Sequence, residues 1–160
     1  MNRSTERKIR SRQDAVVWRG EQPGIVVFTN GVFDLVHPGH VALLETARGE
    51  GDALVVGVNG DSSARRLGKG PDRPLVPARA RARVVAAFEA VDCVVVFEED
   101  TPLELIRALE PDVLVKGGDY LPETTIGADI VQARGGRLKH VELTGGFSTT
   151  AIVEKLRGPT

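Results

Sequence analysis

The sequence predicts a single α/β domain built on a Rossmann-like, doubly wound, mostly parallel five-stranded sheet with flanking helices. Three observations predict it. Five short runs are rich in β-branched residues: GIVVFT (24–29), ALVVGV (53–58), CVVVF (93–97), DVLVKG (112–117) and RLKHVEL (137–143). The first four are nearly continuous in apolar residues, the pattern of parallel strands covered on both faces. Stretches with helical spacing separate the runs, and this alternation fills a chain of 160 residues, 41% hydrophobic, which suits one domain with one core.

Taken in order, the first 22 residues carry Arg3, Arg7, Lys8, Arg10, Arg12 and Arg19 without an apolar run. They read as a loose basic arm, a solvated tail or short helix, ahead of a domain at 23–160. Strand 24–29 leads into a helix at 39–51, with Pro38 suited to its first turn and Gly49 and Gly51 as stop signals. Strand 53–58 is followed by NGDSSARRLGKGPDRPLVP, which reads as an ordinary solvated loop. A helix at 78–91 precedes strand 93–97. Thr101, Pro102 and Glu104 then supply an N-cap, a first-turn proline and an acidic first turn for a helix at 101–111. Strand 112–117, a helix at 126–136 stopped by Gly135 and Gly136, strand 137–143 and a last helix at 148–158 complete the chain.

Lys and Arg number 21 against 22 Asp and Glu, a net charge of −1. The overall balance therefore points to neither a nucleic-acid nor a membrane-surface partner, and any anion site must be local. A lone cysteine, Cys93, excludes an intramolecular disulfide, and no CxxC is present. No run approaches the roughly 18 apolar residues of a membrane span, so a cytoplasmic protein is expected. GxxxxGK[ST], GxGxxG and GxSxG are all missing, which argues against P-loop phosphoryl transfer, ordinary dinucleotide binding and α/β-hydrolase chemistry.

Open parallel sheets bind ligands beyond the carboxyl ends of their strands, so the segments after the strands carry the function. After the first comes His37-Pro38-Gly39-His40, holding two of the chain's three histidines. Three residues apart, they share one side of a helix start whose free N–H groups and dipole favour an anion. Imidazoles there can donate to oxygens whose charge grows in a transition state. A capping histidine beside a packed one, or half of a metal site without its third ligand, are the competing readings. After the second strand come Asn59, Asp61 and Lys69, the lysine free to swing between Gly68 and Gly70. After the fourth, KGGDY places Lys116 beside Gly117 and Gly118, which allow close backbone approach. After the fifth, Gly145 and Gly146 lead into Ser148, Thr149 and Thr150 at a helix start, a second phosphate cradle or a plain N-cap.

The combination of TNGVFDLVHPGH with GGFSTTAIVEKL resembles the HxGH nucleotidylyltransferase superfamily. With VNGDSSARRLGKGPDRPL, AFEAVDCVVVFEEDTP and DVLVKGGDY in the same order, it is most similar to the ADP-heptose-forming adenylyltransferases, over about residues 25–156. The resemblance implies an enzyme whose domain, 23–160, binds ATP and a sugar 1-phosphate (heptose 1-phosphate). The sugar phosphate attacks the α-phosphorus, pyrophosphate leaves, and no covalent intermediate forms. It makes His37, His40, Lys69 and Lys116 the catalytic donors. It sets Thr29, Asn30, Gly31, Phe33, Asp34, Gly39, Ser148, Thr149 and Thr150 against the nucleotide, and Asn59, Asp61, Arg81, Gly118 and Asp119 against the acceptor. Mg²⁺ is expected on the triphosphate, with at most one carboxylate from Asp34, Asp61 or Asp119. A homodimer is expected by the same analogy. Of Arg79, Arg81 and Arg83, one is expected to face the substrate. Val32 and Pro38 stand where cysteine and alanine are common in the heptose group, which bears on the subgroup more than on the chemistry. Cytidylyl transfer to glycerol 3-phosphate or another small phosphate stays open, as does a non-catalytic nucleotide-binding domain.

Overall fold

A computed structural model describes residues 4–118, 121–142 and 145–159. Five strands, β1 (Val26–Gly31), β2 (Ala53–Asn59), β3 (Cys93–Phe97), β4 (Val113–Gly117) and β5 (Arg137–Val141), form one sheet in the order β3-β2-β1-β4-β5. All four pairings are parallel. The expectation of a mostly parallel five-stranded sheet is thus met by a wholly parallel one. Every residue of β2 is buried, as its unbroken apolar run requires of a central strand covered on both faces.

Side-chain alternation along the strands divides the core in two. Val27, Val56, Val58, Val113 and Val115 face α2 (Pro38–Gly49) and α4 (Ala78–Ala86), meeting Leu43, Leu44, Ala47, Ala82, Val85 and Ala86. Val26, Phe28, Val55, Val95 and Leu114 face the other way, onto Ala15 of α1 (Arg12–Gly20), Leu105, Ile106 and Leu109 of α5 (Leu103–Leu109), and Ala128 and Val131 of α6 (Ala128–Ala133). The last helix, α7 (Thr149–Arg157), buries only Val153.

Two local expectations give way. The basic N-terminal segment forms a short helix, α1, as one of its two readings had it, but is packed rather than loose. Ile9 bridges to Val94 and the Arg10 N–H donates to Val94 O at 2.9 Å, covering the outer edge of β3. Lys8 Nζ reaches Phe88 O at 3.0 Å and Arg19 pairs with Asp112 at 3.0 Å, so several of the arm's charges are tethers. The segment read as a solvated loop after β2 opens with a short helix, α3 (Asp61–Arg66). Its buried residues are only Ser63 and Ala64, too small to give an apolar period.

At the amino end of the sheet, carboxylates pin the strand starts. Asp52 accepts the Ile25 N–H at 2.7 Å, Asp92 the Leu54 N–H and Asp112 the Val26 N–H, both at 2.8 Å. Each charge thereby satisfies a backbone donor that has no partner in the ladder.

Candidate active site

Chain order reverses between β1 and β4, and the carboxyl ends of these neighbours open a cleft. A cavity of about 420 Å³ lies there, with Asn30, His40, Lys69, Arg73, Lys116 and Thr149 among its walls. Lys116 at the end of β4 is buried and donates to Asn30 Oδ1 across the switch point. Burial, with no carboxylate to offset it, lowers its pKa to about 8.

The turn from β1 to α2 builds the histidine pair. His37 is the N-cap of α2: its Nδ1 accepts the Gly39 N–H at 3.0 Å, while His40 Nδ1 accepts the His37 N–H at 3.2 Å. A nitrogen that accepts carries no proton, so this capping box fixes both rings in the Nε2–H tautomer. Each histidine therefore offers one donor pointing away from its own backbone. Gly39 is required by the geometry, since a Cβ there would come 2.8 Å from His37 Cε1. The rings are 3.9 Å apart between centroids; Phe147 stacks on His37 at 6.4 Å, and buried Phe33 lies 5.2 Å from His40. Phe33 holds φ at 53°, a strained conformation for a bulky residue that the surrounding packing enforces. Burial lowers the pKa of His37, and burial, then His37 and Lys69, lower that of His40 to about 4. Both rings are neutral donors at pH 7. The reading of a capping histidine beside a packed one describes the pair, with His37 as the N-cap and His40 against Phe33, and the capping box that joins them is what orients the free nitrogens.

The start of α7 supplies the second cradle. Ser148 is its N-cap, Oγ accepting the Ala151 N–H at 3.0 Å, and Thr149 Oγ1 donates to Leu35 O at 3.1 Å, docking α7 on the turn that carries the histidines. Thr150 is exposed in the first helical turn. Backbone N–H groups here lack intrahelical partners and face an anion favourably.

Asn30, Gly31, Phe33, Asp34, His40, Asn59, Lys69, Lys116 and Thr149 line the cavity; His37, Gly39, Ser148 and Thr150 are not among its lining residues, although the first three are joined to the wall through the capping box and the start of α7. Four expected contacts are engaged elsewhere. Thr29 is buried and its hydroxyl donates to Val115 O at 2.9 Å, clamping β1 to β4. Gly118 gives its N–H to Val141 O at 3.1 Å. Arg81 is fully buried: its Nε donates to Val76 O, its Nη1 to Val32 O and Asn59 O, and its Nη2 to Asp61 Oδ1, all within 2.9 Å. Its charge holds the cavity walls together and does not reach inside. Asp61 Oδ1 also accepts the Ala78 N–H at 2.9 Å, which ties α3 to the start of α4. Asp119 lies outside the described residues.

Asp34 is a clamp as well. Oδ2 accepts from Arg73 Nε at 2.7 Å, and the N–H groups of Leu75 and Val76 both donate to the carboxylate at 2.9 Å. Burial would raise its pKa, but those two N–H groups and Arg73 outweigh it and hold the carboxyl below its usual range. Thr101 and Pro102 after β3, Arg73, and Thr124 to Ile126 also line the cavity. The first two follow a strand end, the signal that found the other segments. Nothing in the sequence pattern marks 124–126.

A switch-point cavity walled by two lysines, a neutral imidazole and the start of a helix suits a phosphate-bearing ligand, which it can hold by positioning and charge. The chain belongs to the cytidylyltransferase-like family, whose model matches residues 28–155. Among curated relatives, the bifunctional protein HldE of Azorhizobium caulinodans is 58% identical over 150 residues, covering 92% of this chain and 31% of that protein. HldE of Acidiphilium cryptum is 55% identical over 155 residues, covering 94% and 32%. The chain thus spans about a third of the length of these relatives. Among solved structures, a lipopolysaccharide core biosynthesis protein from Thermoplasma volcanium superposes with a TM-score of 0.61 at 28% identity, covering 76% of this chain and 97% of that one. Pantoate-beta-alanine ligase from Francisella tularensis, at 14% identity and a TM-score of 0.58 over 88% of this chain and 68% of that one, shares the fold. No helix among the described residues is long and apolar enough to cross a membrane.

Proposed function

We propose that the chain transfers AMP from ATP to a heptose 1-phosphate, releasing pyrophosphate and giving ADP-heptose. The observation that carries this reading is the pair of imidazoles locked by one capping box into the Nε2–H tautomer beside a cavity lined by Lys69 and Lys116. An oxygen of the acceptor's phosphate forms a bond to the α-phosphorus. The bond to the bridging oxygen breaks, and its electron pair leaves with pyrophosphate. Negative charge grows on the oxygens around that phosphorus, and His40 and His37 donate to them without changing protonation state. The free N–H groups at the start of α7 and Lys69 in the cavity wall hold the β- and γ-phosphates, and Lys116 neutralises charge from the sheet end. Positioning and charge suffice, because nucleotidyl transfer needs no protein nucleophile.

Magnesium on the triphosphate fits the donor set. Of the three candidate carboxylates, Asp34 lines the cavity but is engaged with Arg73 and two N–H groups, Asp61 is not among the lining residues, and Asp119 lies outside the described residues. When bound, the ion neutralises phosphate oxygens, held by them and by water. The sequence similarity to ADP-heptose-forming transferases supports the sugar, and the Thermoplasma protein of lipopolysaccharide core biosynthesis agrees in direction. The matched family's description favours a second reading, cytidylyl transfer. We also place the enzyme in the cytoplasm, as a homodimer without nucleic-acid or membrane partners. Pyrophosphate release measured with ATP and with CTP, each with heptose 1-phosphate and with glycerol 3-phosphate, separates the readings. Release only with ATP and the heptose phosphate is expected; exclusive use of CTP would sink the adenylyl assignment.

A further inference from the structure

One cation in the cavity wall has donors left open. Arg73 is 7% exposed, although arginine is rarely buried without a full set of partners. Its Nε is bonded to Asp34 Oδ2, while Nη1 and Nη2 have no hydrogen-bond partner among the described residues. These two nitrogens are not sealed in protein either. The one fully buried side-chain nitrogen or oxygen without a partner among the described residues is His140 Nε2, and Arg73 lines the cavity. The little surface Arg73 keeps is therefore the surface it shows to the ligand space.

The neighbouring carboxylates cannot complete it. Asp34 divides its charge between Arg73 and the N–H groups of Leu75 and Val76, Asp72 is paired with Arg157, and Asp100 with Arg66. A guanidinium stays charged at any physiological pH, and withdrawing it from water is unfavourable unless an anion meets it. Its two terminal N–H groups lie in one plane, a fork matched to two oxygens of a phosphate. Asp34 fixes that plane, because its bond to Nε and its own anchoring by two backbone donors leave the side chain little freedom.

We propose that Arg73 binds a phosphoryl group of one reactant through Nη1 and Nη2, and that Asp34 is the positioning residue that aims it. This rests on the nucleotidyl-transfer reading for the identity of the phosphate. The acceptor's monoester and the nucleotide's polyphosphate tail offer the same chemistry.

Calorimetric titration with Mg-ATP and, separately, with inorganic phosphate tests the assignment without turnover or any sugar, so an error about the acceptor leaves the test intact. In Arg73→Gln, affinity for one of the two probes falls about tenfold or more while the other changes less than about threefold, and the probe affected names the source. Wild-type affinity for both probes in a folded Arg73→Gln overturns the proposal; wild-type protein that binds neither overturns it together with the nucleotide reading. If Arg73→Gln does not fold, Arg73→Lys keeps the charge pair with Asp34 but loses the fork, and must show a loss on the same criterion. Asp34→Asn should weaken the same probe, and Asp34→Asn in the Arg73→Gln background should add nothing further. Additive losses would refute the aiming role.

Discussion

At the amino end of the sheet, Asp52, Asp92 and Asp112 each accept a backbone N–H at or beside the start of a neighbouring strand; at the carboxyl end, His40, Lys69, Arg73 and Lys116 line an open cavity. Both ends are made by the same five strands and both are rich in charge. The difference is completeness. Charges at the amino end find their partners within the chain and contribute to stability, whereas the carboxyl end leaves cations and N–H groups short of acceptors, an arrangement that an anion completes. Even the carboxylates there, Asp34 and Asp61, serve to hold walls in place. A surplus of donors gathered in one cleft defines the site better than any single residue.

Mutations at the two ends should therefore fail differently. The largest effect is expected for His40→Ala: turnover, read as pyrophosphate release, should fall roughly 10²-fold or more with loss of a transition-state donor. The same change removes half of a capping box, and chemical denaturation should show a loss of about 1 kcal/mol. Turnover near wild type would make His40 a cap and nothing more.

Lys116 should set the alkaline limit. Its pKa is lowered to about 8, so it is charged below that pH and neutral above it, and turnover should decline as pH rises through 8. Lys116→Arg, which does not titrate there, should remove that decline; an unchanged alkaline limb would assign it to another group. Burial, then the charges of His37 and Lys69, lower the pKa of His40 to about 4, so it stays neutral through this range and should add no limb of its own to the profile above pH 6.

Ser148→Ala removes the α7 cap, and we expect ATP affinity in titration to fall several-fold with about 1 kcal/mol of stability. Unchanged affinity would detach α7 from the nucleotide. At the opposite end, Asp112→Asn weakens the bond to Val26 N–H and the pair with Arg19, lowering stability by about 1 kcal/mol and leaving kcat and KM as they were. A change in KM there would break the division between the two ends.

The α/β class, the five strands and the segments that meet at the cavity were legible because they depend on local pattern: apolar runs, glycine and proline punctuation, and chemistry-bearing residues just after strands. The packed N-terminal segment was not legible, since Ile9 and Ala15 are too few to show a period and its basic residues act through backbone carbonyls far along the chain. The same reason hid the partners of Arg81, Asp34 and Arg73. Residue type shows that a charge is present, but Arg81 meets Val32 O and Arg73 meets Asp34 across 49 and 39 residues. Only the fold decides which charges neutralise one another and which remain for a ligand.

The claim that the histidine cap exists to present two donors is tested most directly by His37→Asn. Asparagine is a good N-cap, so the helix start is preserved while the Nε2–H is lost. Thermal unfolding and pyrophosphate release, measured on the same preparation, should show a melting temperature within a few degrees of wild type and turnover lowered roughly 10²-fold. Wild-type turnover at an unchanged melting temperature would show that His37 does no more than cap the helix.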